Sequence, residues 1–96
     1  MHFVVIAYDG TDDQALARRM KAREAHLAGA RTLKEQGRML MGGAMLDDAG
    51  KMIGSVMIVD YPDRAGVDAW LEADPYTTGD VWRKIEVRPY RMAGPA

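Results

Sequence analysis

The feature that most constrains the fold is one long helix-forming segment, residues 12–36, which separates two strand-like segments. At 3.6 residues per turn, Leu16, Met20 and Leu27 form an apolar stripe along this helix. Gly29 lies inside it and costs about 1 kcal/mol relative to Ala, which predicts the close approach of another backbone or a ligand. A shoulder of mostly small residues lies beside the stripe and comprises Ala22, Gly29, Ala30 and Leu33.

Both ends of the helix carry recognisable signals. Thr11 and Gln14 have the spacing of a capping box, and two aspartates follow Thr11, so the helix is predicted to begin there. Lys34 suits the negative end of the helix dipole, and Gly37 can adopt positive φ just beyond it. The helix is therefore predicted to end near residue 36.

The remaining segments predict four strands and a second helix. Asp63 is a typical N-cap for the second helix, which must end near Ala73 because Pro75 disfavours helical backbone angles at the residue before it. The strands are rich in β-branched, aromatic and other apolar side chains, and turn residues bound them. They are predicted at residues 2–8, 38–46, 51–60 and 81–90.

The resulting order, βαββαβ, is that of an α+β, ferredoxin-like fold with two helices on one face of a four-stranded antiparallel sheet. We expect one domain over residues 1–96, with residues 92–96 frayed. The first and third strands are apolar on both faces, so the face without helices would expose a large apolar patch. This pattern predicts a homodimer that stacks the two sheet faces.

The composition excludes several function classes. A net charge of -1 provides no electrostatic footprint for nucleic acid or an anionic membrane surface. The absence of Cys rules out disulfides, thiolate metal sites and a Cys nucleophile. The apolar run at residues 3–7 is too short for a signal peptide, and no stretch approaches the roughly 20 residues of a membrane span. We therefore expect a cytoplasmic protein with neither nucleic acid nor membrane as a partner.

His26 is the first candidate site residue. Its neighbours three and four positions away are Ala22, Arg23, Gly29 and Ala30, which place the imidazole among small side chains with one guanidinium in reach. Two interpretations remain open at this point. His26 is either a hydrogen-bonded structural residue or a general acid or base at a pocket, where Arg23 would hold an anionic or phenolic oxygen.

Asp74 is the second candidate. A carboxylate at the C-terminal end of a helix faces the negative end of the dipole unless a cation such as His26 or Arg23 answers it. Asp followed by Pro75 is equally typical of the N-cap of a short helical turn, and the two roles are compatible. A carboxylate that holds a His fixes its tautomer while the other ring nitrogen takes a proton, which suits proton abstraction or elimination.

Other kinds of site have little support. Ser55 lies in an apolar strand without a nucleophile motif, so acyl transfer is not expected. His26 lacks a second ligand residue at helical spacing, so neither a metal nor another cofactor is expected. Gly42 and Gly43 interrupt the second strand, which either a simple bulge or the close approach of a ligand would explain.

With these residues in place, the chain resembles the YciI-like family from residue 3 to residue 90. The order and spacing of several short motifs carry the resemblance. Among them, Ala-Asp-Pro-Tyr downstream of the His is the most specific. The motifs are Asp9 at the end of the first strand, Arg23-x-x-His26-Leu27, Gly37-Arg38-x-Leu40 before Gly42-Gly43, Gly54-Ser55, Ala73-Asp74-Pro75-Tyr76 and Val87-Arg88-Pro89-Tyr90.

The resemblance implies a dimeric α+β barrel and a small enzyme in which His26 and Asp74 are the active-site residues. It also implies lyase-like or isomerase-like chemistry on a small aromatic or phenolic molecule. Substrate contacts are then expected from Arg23, Gly42, Gly43 and Tyr76. The alternative is a module that holds a small ligand in the same cavity without chemistry.

Overall fold

The computed structural model describes residues 1–94 and confirms the predicted order of elements. The one addition is a single helical turn between the second helix and the last strand. The elements are β1 (His2–Asp9), α1 (Ala15–Glu35), β2 (Met39–Leu46), β3 (Met52–Asp60), α2 (Arg64–Ala73), α3 (Pro75–Thr78) and β4 (Trp82–Pro89). Residues 95 and 96 of the tail predicted to fray lie outside the described residues.

The four strands form one antiparallel sheet in the order β2-β3-β1-β4, which is the ferredoxin-like arrangement. In its centre, Val5 lies opposite Met57 of β3 and Val87 of β4. Val5 and Met57 face the helices, where Val67 of α2 and Tyr76 of α3 complete the core. The helices therefore cover one face of the sheet, as the pattern predicts.

The opposite face carries no helix within residues 1–94. The strand register places Val4 and Ile6 of β1 beside Val56 and Ile58 of β3 on this face. Met41 of β2 extends the patch and is 59% exposed. A charged row from β4 borders it and consists of Lys84, Glu86 and Arg88.

The predicted N-terminal cap of α1 is wrong. The helix begins at Ala15, and Gln14 occupies the cap position without a side-chain cap bond. Asp12 accepts a hydrogen bond from the Gln14 backbone N–H at 3.2 Å and forms two more with the Arg18 guanidinium at 2.7 and 2.9 Å. These contacts hold the residues before Ala15 in a turn, so the two aspartates precede the helix instead of forming its first turn.

The predicted apolar stripe is also not the buried face of α1. Met20 is 51% exposed, whereas Ala15, Arg19 and His26 are buried. The shoulder of small residues lies on the buried side, where Ala22, Ala30 and Leu33 pack against the core. Apart from its chain neighbours and the helix's own backbone, no atom lies within 4 Å of a Cβ built at Gly29, so the close approach of another backbone is absent from residues 1–94.

The C-terminal signals of α1 and the caps of the later helices are confirmed. Lys34 lies in the last turn of α1, and Gly37 has φ of +73°. The Asp63 side chain accepts a hydrogen bond from the Gly66 N–H at 3.0 Å. The α2 helix ends at Ala73. No helix in residues 1–94 combines the length and hydrophobicity that a membrane crossing requires.

Candidate active site

A cavity of about 180 Å³ lies between α1 and the sheet strands β2 and β3. Apolar cavities of about 150 Å³ in proteins accommodate a benzene molecule, so this space suits a molecule with a single ring. Residues from α1, α3, β2 and β3 line it, among them Arg19, Arg23, His26, Lys34, Gly42, Gly43, Ser55, Met57 and Tyr76.

His26 and Asp74 are in direct contact beside this cavity. The imidazole Nδ1 lies 2.8 Å from Asp74 Oδ1, and the two residues are 8% and 7% exposed. An ionised carboxylate only accepts hydrogen bonds, so Nδ1 carries the proton when the ring is neutral. The other ring nitrogen, Nε2, has no partner within residues 1–94, and His26 lines the cavity.

Asp74 performs both of the roles that the sequence left open. Its Oδ1 also accepts a hydrogen bond from the Tyr76 backbone N–H at 2.9 Å, which caps α3. The Pro at the first position of α3 is consistent with this cap. The cap fixes the carboxylate in place, and the fixed carboxylate in turn orients His26. Asp74 itself does not line the cavity, so its contact with His26 lies outside the cavity wall.

Two aromatic rings restrict the orientation of the imidazole. Tyr76 stacks on His26 with ring centroids 3.9 Å apart and an interplanar angle of 10°. Trp82 meets the same imidazole edge-on, with centroids 5.6 Å apart. Burial raises the pKa of the Tyr76 phenol, so it stays neutral at physiological pH. Together with Asp74, these contacts leave the imidazole little freedom to rotate.

A second buried polar group, which we call the arginine cluster, consists of Asp9, Arg19, Ser55 and Trp82. Arg19 Nη1 donates to both carboxylate oxygens of Asp9 at 3.0 Å, and Arg19 Nη2 donates to Ser55 Oγ at 3.0 Å. Trp82 Nε1 donates to the same Oγ at 3.2 Å. Burial raises the pKa of Asp9, while the Arg19 hydrogen bonds and charge oppose this rise.

Sequence reasoning missed the arginine cluster. Arg19 precedes His26 by seven residues, about two helical turns, so the two side chains share one face of α1. This spacing is the signal that would have found Arg19. Its guanidinium also lies 4.7 Å from the centroid of the Tyr76 ring, which links the arginine cluster to the histidine pair.

Two exposed cations line the cavity in addition to Arg19. The sequence predicted Arg23 at the site but did not predict Lys34. Neither forms a salt bridge within residues 1–94, and no Asp or Glu lines the cavity. This lining favours an anionic ligand over a cationic one.

The glycine pair lines the cavity from the sheet side. A Cβ at Gly42 would lie 3.1 Å from Met39 Sδ and 3.3 Å from Met57 Cγ, so a side chain there would compete for space in the cavity wall. The predicted bulge at the pair is wrong, because Gly42 and Gly43 pair in unbroken register with β3. The irregularities lie on either side, after Met39 and after Met45.

The structure brings His26, Asp74, Arg23, Tyr76 and the glycine pair to one region, in contact with one another or along the cavity wall. Within residues 1–94, no three His, Asp or Glu side chains approach closely enough to hold a metal ion. The cavity lining presents an oriented imidazole together with cationic and hydrogen-bond-donating side chains.

By its fold and its site, this protein is a ferredoxin-like α+β domain with a buried His–Asp contact. The contact lies beside a cavity whose volume suits a molecule with a single ring. The chain belongs to the family described as YCII-related domain, whose family model matches residues 1–91. Protein YciI of Escherichia coli O6:H1 is 33% identical over 97 residues, which covers 95% of this chain and 97% of that protein. An uncharacterized protein of Haemophilus influenzae is 28% identical over 97 residues.

Solved structures are similar over nearly the whole chain. The 5-chloro-2-hydroxyhydroquinone dehydrochlorinase TftG from Burkholderia phenoliruptrix AC1100, in complex with 2,5-dihydroxybenzoquinone, superposes with a TM-score of 0.82 at 26% identity. That similarity covers 95% of this chain and 94% of TftG. Rv0793 from Mycobacterium tuberculosis, with a TM-score of 0.62 and 16% identity, shares the fold.

Proposed function

We propose that this protein is a small enzyme that uses His26 as a general base or acid on a small hydroxylated aromatic molecule. The observation that carries this proposal is the 2.8 Å contact between His26 Nδ1 and Asp74 Oδ1, which leaves Nε2 unpartnered beside the cavity. Asp74 orients the imidazole and stabilises its protonated form. The reaction class is a lyase-like elimination or an isomerisation.

In an elimination, Nε2 takes a proton from a hydroxyl or an acidic C–H group of the substrate. The electron pair of the broken O–H or C–H bond forms a new double bond as the leaving group departs from a tetrahedral carbon, which for an aromatic substrate is that of its keto tautomer. The leaving group takes the electron pair of its bond to carbon, and the imidazolium later returns the proton to water. The first step needs an imidazole that is neutral and held in one tautomer, and the Asp74 contact favours this tautomer. Arg23 is positioned to bind an anionic or phenolic oxygen at the exposed side of the cavity.

Two further observations support an aromatic anion as the substrate. The cavity volume suits a single ring, and the residues among 1–94 that line it include cations but no Asp or Glu. The relative TftG is named as a dehydrochlorinase of a chlorinated hydroxyhydroquinone, which is a molecule of this size and chemistry. In this proposal, Gly42, Gly43 and Tyr76 shape the wall against which the ring lies.

We also propose that two copies associate through the sheet face that lacks helices. Val4, Ile6 and Val56 form a half-buried apolar centre on this face, and Met41 is largely exposed. A second copy of the same face would remove this apolar surface from water. Ile6→Lys is expected to convert the dimer to monomer in sedimentation equilibrium, whereas Met20→Lys on the exposed side of α1 leaves it unchanged. A wild-type monomer would contradict the proposal.

The activity is tested with 5-chloro-2-hydroxyhydroquinone as the first candidate substrate and chloride release as the readout. His26→Ala is expected to lower kcat/KM by about 10²- to 10⁴-fold, the usual contribution of a positioned general base. His2→Ala is the matched control, because His2 lies at the start of β1 and does not line the cavity.

Equal turnover by the wild type and His26→Ala would refute the catalytic role. Tight binding of hydroxylated aromatics without turnover of any of them would instead support the non-catalytic ligand-binding alternative.

A further inference from the structure

Ser55 occupies an unusual position among the residues that line the cavity. Its hydroxyl oxygen accepts one hydrogen bond from Arg19 Nη2 at 3.0 Å and another from Trp82 Nε1 at 3.2 Å. Guanidinium and indole N–H groups can only donate. Both contacts therefore require lone pairs of the serine oxygen, and a hydroxyl oxygen has two.

The remaining group on this oxygen is its proton. No acceptor for that proton lies within hydrogen-bond distance among residues 1–94, although Ser55 is buried. Ser55 lines the cavity, so the cavity is the space left for an acceptor. The surrounding residues thus convert a side chain that can donate or accept into one that only donates.

We propose that Ser55 is a specificity-determining residue whose hydroxyl donates to an anionic oxygen of the bound molecule, a phenolate or an enolate. This inference rests on the proposed function for the chemical class of the ligand, and it assigns that ligand's oxygen to a particular side chain. Neutral acceptors would gain less, since hydrogen bonds to charged groups are about twice as strong.

The neighbouring charge strengthens this donor. Arg19 places its positive charge one hydrogen bond from Ser55 Oγ, which polarises the hydroxyl toward donation. Arg19 Nε is also buried without a partner within residues 1–94. The same contacts argue against Ser55 as a nucleophile, because both of its lone pairs are already engaged.

Trp82 relates this donor to the proposed base. It donates to Ser55 and lies edge-on against His26, with ring centroids 5.6 Å apart. Ser55 and His26 therefore line one cavity with a shared aromatic neighbour. When His26 takes a proton from the substrate, the negative charge that develops on the substrate oxygen is stabilised by Ser55, as in an oxyanion hole.

The test uses two probes, 4-nitrophenol and nitrobenzene, which share a ring and a nitro group but differ in the hydroxyl. Binding is measured by the absorbance of 4-nitrophenolate and by calorimetry. The wild type is expected to bind the phenolate more tightly than the neutral phenol, so the pKa of 4-nitrophenol falls on binding. This arm needs no substitution at Ser55.

Ser55→Thr and Ser55→Val form the matched pair, because their side chains have nearly the same shape and only Thr carries a hydroxyl. Ser55→Val is expected to bind the phenolate about 10- to 100-fold more weakly than Ser55→Thr, whereas nitrobenzene affinity is equal in the two. Equal phenolate affinity in the pair overturns the inference. So does a wild type that prefers the neutral phenol or binds neither probe.

The readout separates this inference from the proposed function. If the pair differs as expected but His26→Ala retains full turnover, the catalytic proposal fails and the role of Ser55 stands. If His26→Ala loses turnover but the pair binds phenolate equally, the role of Ser55 fails and the catalytic proposal stands.

Discussion

Two buried polar groups lie on the same face of α1, two helical turns apart. They differ in whether a hydrogen-bond acceptor atom beside the cavity is left without a partner. In the arginine cluster, Asp9 and Arg19 neutralise each other, with side chains only 3% and 4% exposed. In the pair of His26 and Asp74, the ring nitrogen Nδ1 contacts the carboxylate, whereas Nε2 has no hydrogen-bond partner among the described residues 1–94. Both groups contact Tyr76.

The difference separates stability from reactivity. A buried charge without its partner is expensive, so removing either member of the Asp9–Arg19 pair should destabilise the fold. A neutral imidazole has no charge of its own to bury, although its partner Asp74 does. In the proposed function, the nitrogen of His26 that has no partner within residues 1–94 is the reactive group, so spare hydrogen-bonding capacity beside the cavity, and not burial alone, identifies it.

The largest expected effect is the loss of stability in Arg19→Met. This substitution leaves the Asp9 carboxylate buried and unpaired, so the free energy of unfolding should fall by about 3–5 kcal/mol. Urea denaturation followed by tryptophan fluorescence measures this change, since Trp82 is part of the arginine cluster. A loss below about 1 kcal/mol would mean that the pair behaves like an exposed ion pair.

Acid should reduce the penalty in the same variant. Burial raises the pKa of Asp9, and Arg19 is the main influence that lowers it, so the pKa of folded Asp9 rises further without Arg19. The folded state then binds a proton more tightly than the unfolded state, whose carboxyl keeps its ordinary value of 3.8. The destabilisation is full above the raised pKa and disappears below the ordinary one.

Stability of Arg19→Met and the wild type should therefore converge as the pH is lowered toward about 4. Denaturation curves across this range provide the measurement. A gap between the two proteins that stays constant with pH would show that Asp9 is not the source of the penalty.

Asp74 allows its two roles to be separated. Asp74→Asn keeps an oxygen that can cap α3, so its stability should stay within about 0.5 kcal/mol of the wild type, whereas Asp74→Ala loses the cap and about 0.5–2 kcal/mol. Turnover should fall by more than about 10-fold in both. Asp74→Ala loses the oxygen that orients His26, whereas Asp74→Asn keeps an oxygen for His26 Nδ1 but loses the negative charge that stabilises the imidazolium. Full activity of Asp74→Asn would contradict this electrostatic role.

The smallest effect is expected for Arg18→Gln, the sequence neighbour of Arg19. Arg18 also pairs with an aspartate, Asp12, but these side chains are 23% and 45% exposed, against 4% and 3% for Arg19 and Asp9. Exposed ion pairs contribute little because water already solvates both charges. Its denaturation midpoint should match that of the wild type, and a loss comparable to that of Arg19→Met would break the comparison.

Much of the fold followed from local patterns. Runs of β-branched, aromatic and other apolar residues between turn residues predicted the four strands, and Asp63 and Gly37 marked helix ends that the structure confirms. For the site, the residues left either His26 or Arg23 as the cation beside Asp74, a carboxylate at the C-terminus of α2. The resemblance to the YciI-like family favoured His26, and the structure has His26 Nδ1 2.8 Å from Asp74 Oδ1.

The errors arose where a side-chain contact outside the local pattern decides the outcome. The capping box at Thr11 failed because Arg18 holds Asp12 in a turn before the helix. Arg19 is buried while Met20 is exposed, which is the reverse of what their hydropathy predicts. The hydrogen bonds between Arg19 and the Asp9 carboxylate explain why Arg19 is buried. The contacts of Ser55 were not predicted, because its two hydrogen-bond donors lie 36 and 27 residues away in the chain.

The most direct test of the histidine site is the tautomer of His26, read from its imidazole nitrogen shifts by NMR at a pH where the ring is neutral. The expected result is a proton on Nδ1 and none on Nε2, with the Nε2 signal shifting when 4-nitrophenol is added. A proton on Nε2, or an Nε2 signal that is insensitive to the ligand, would contradict a general base at this cavity.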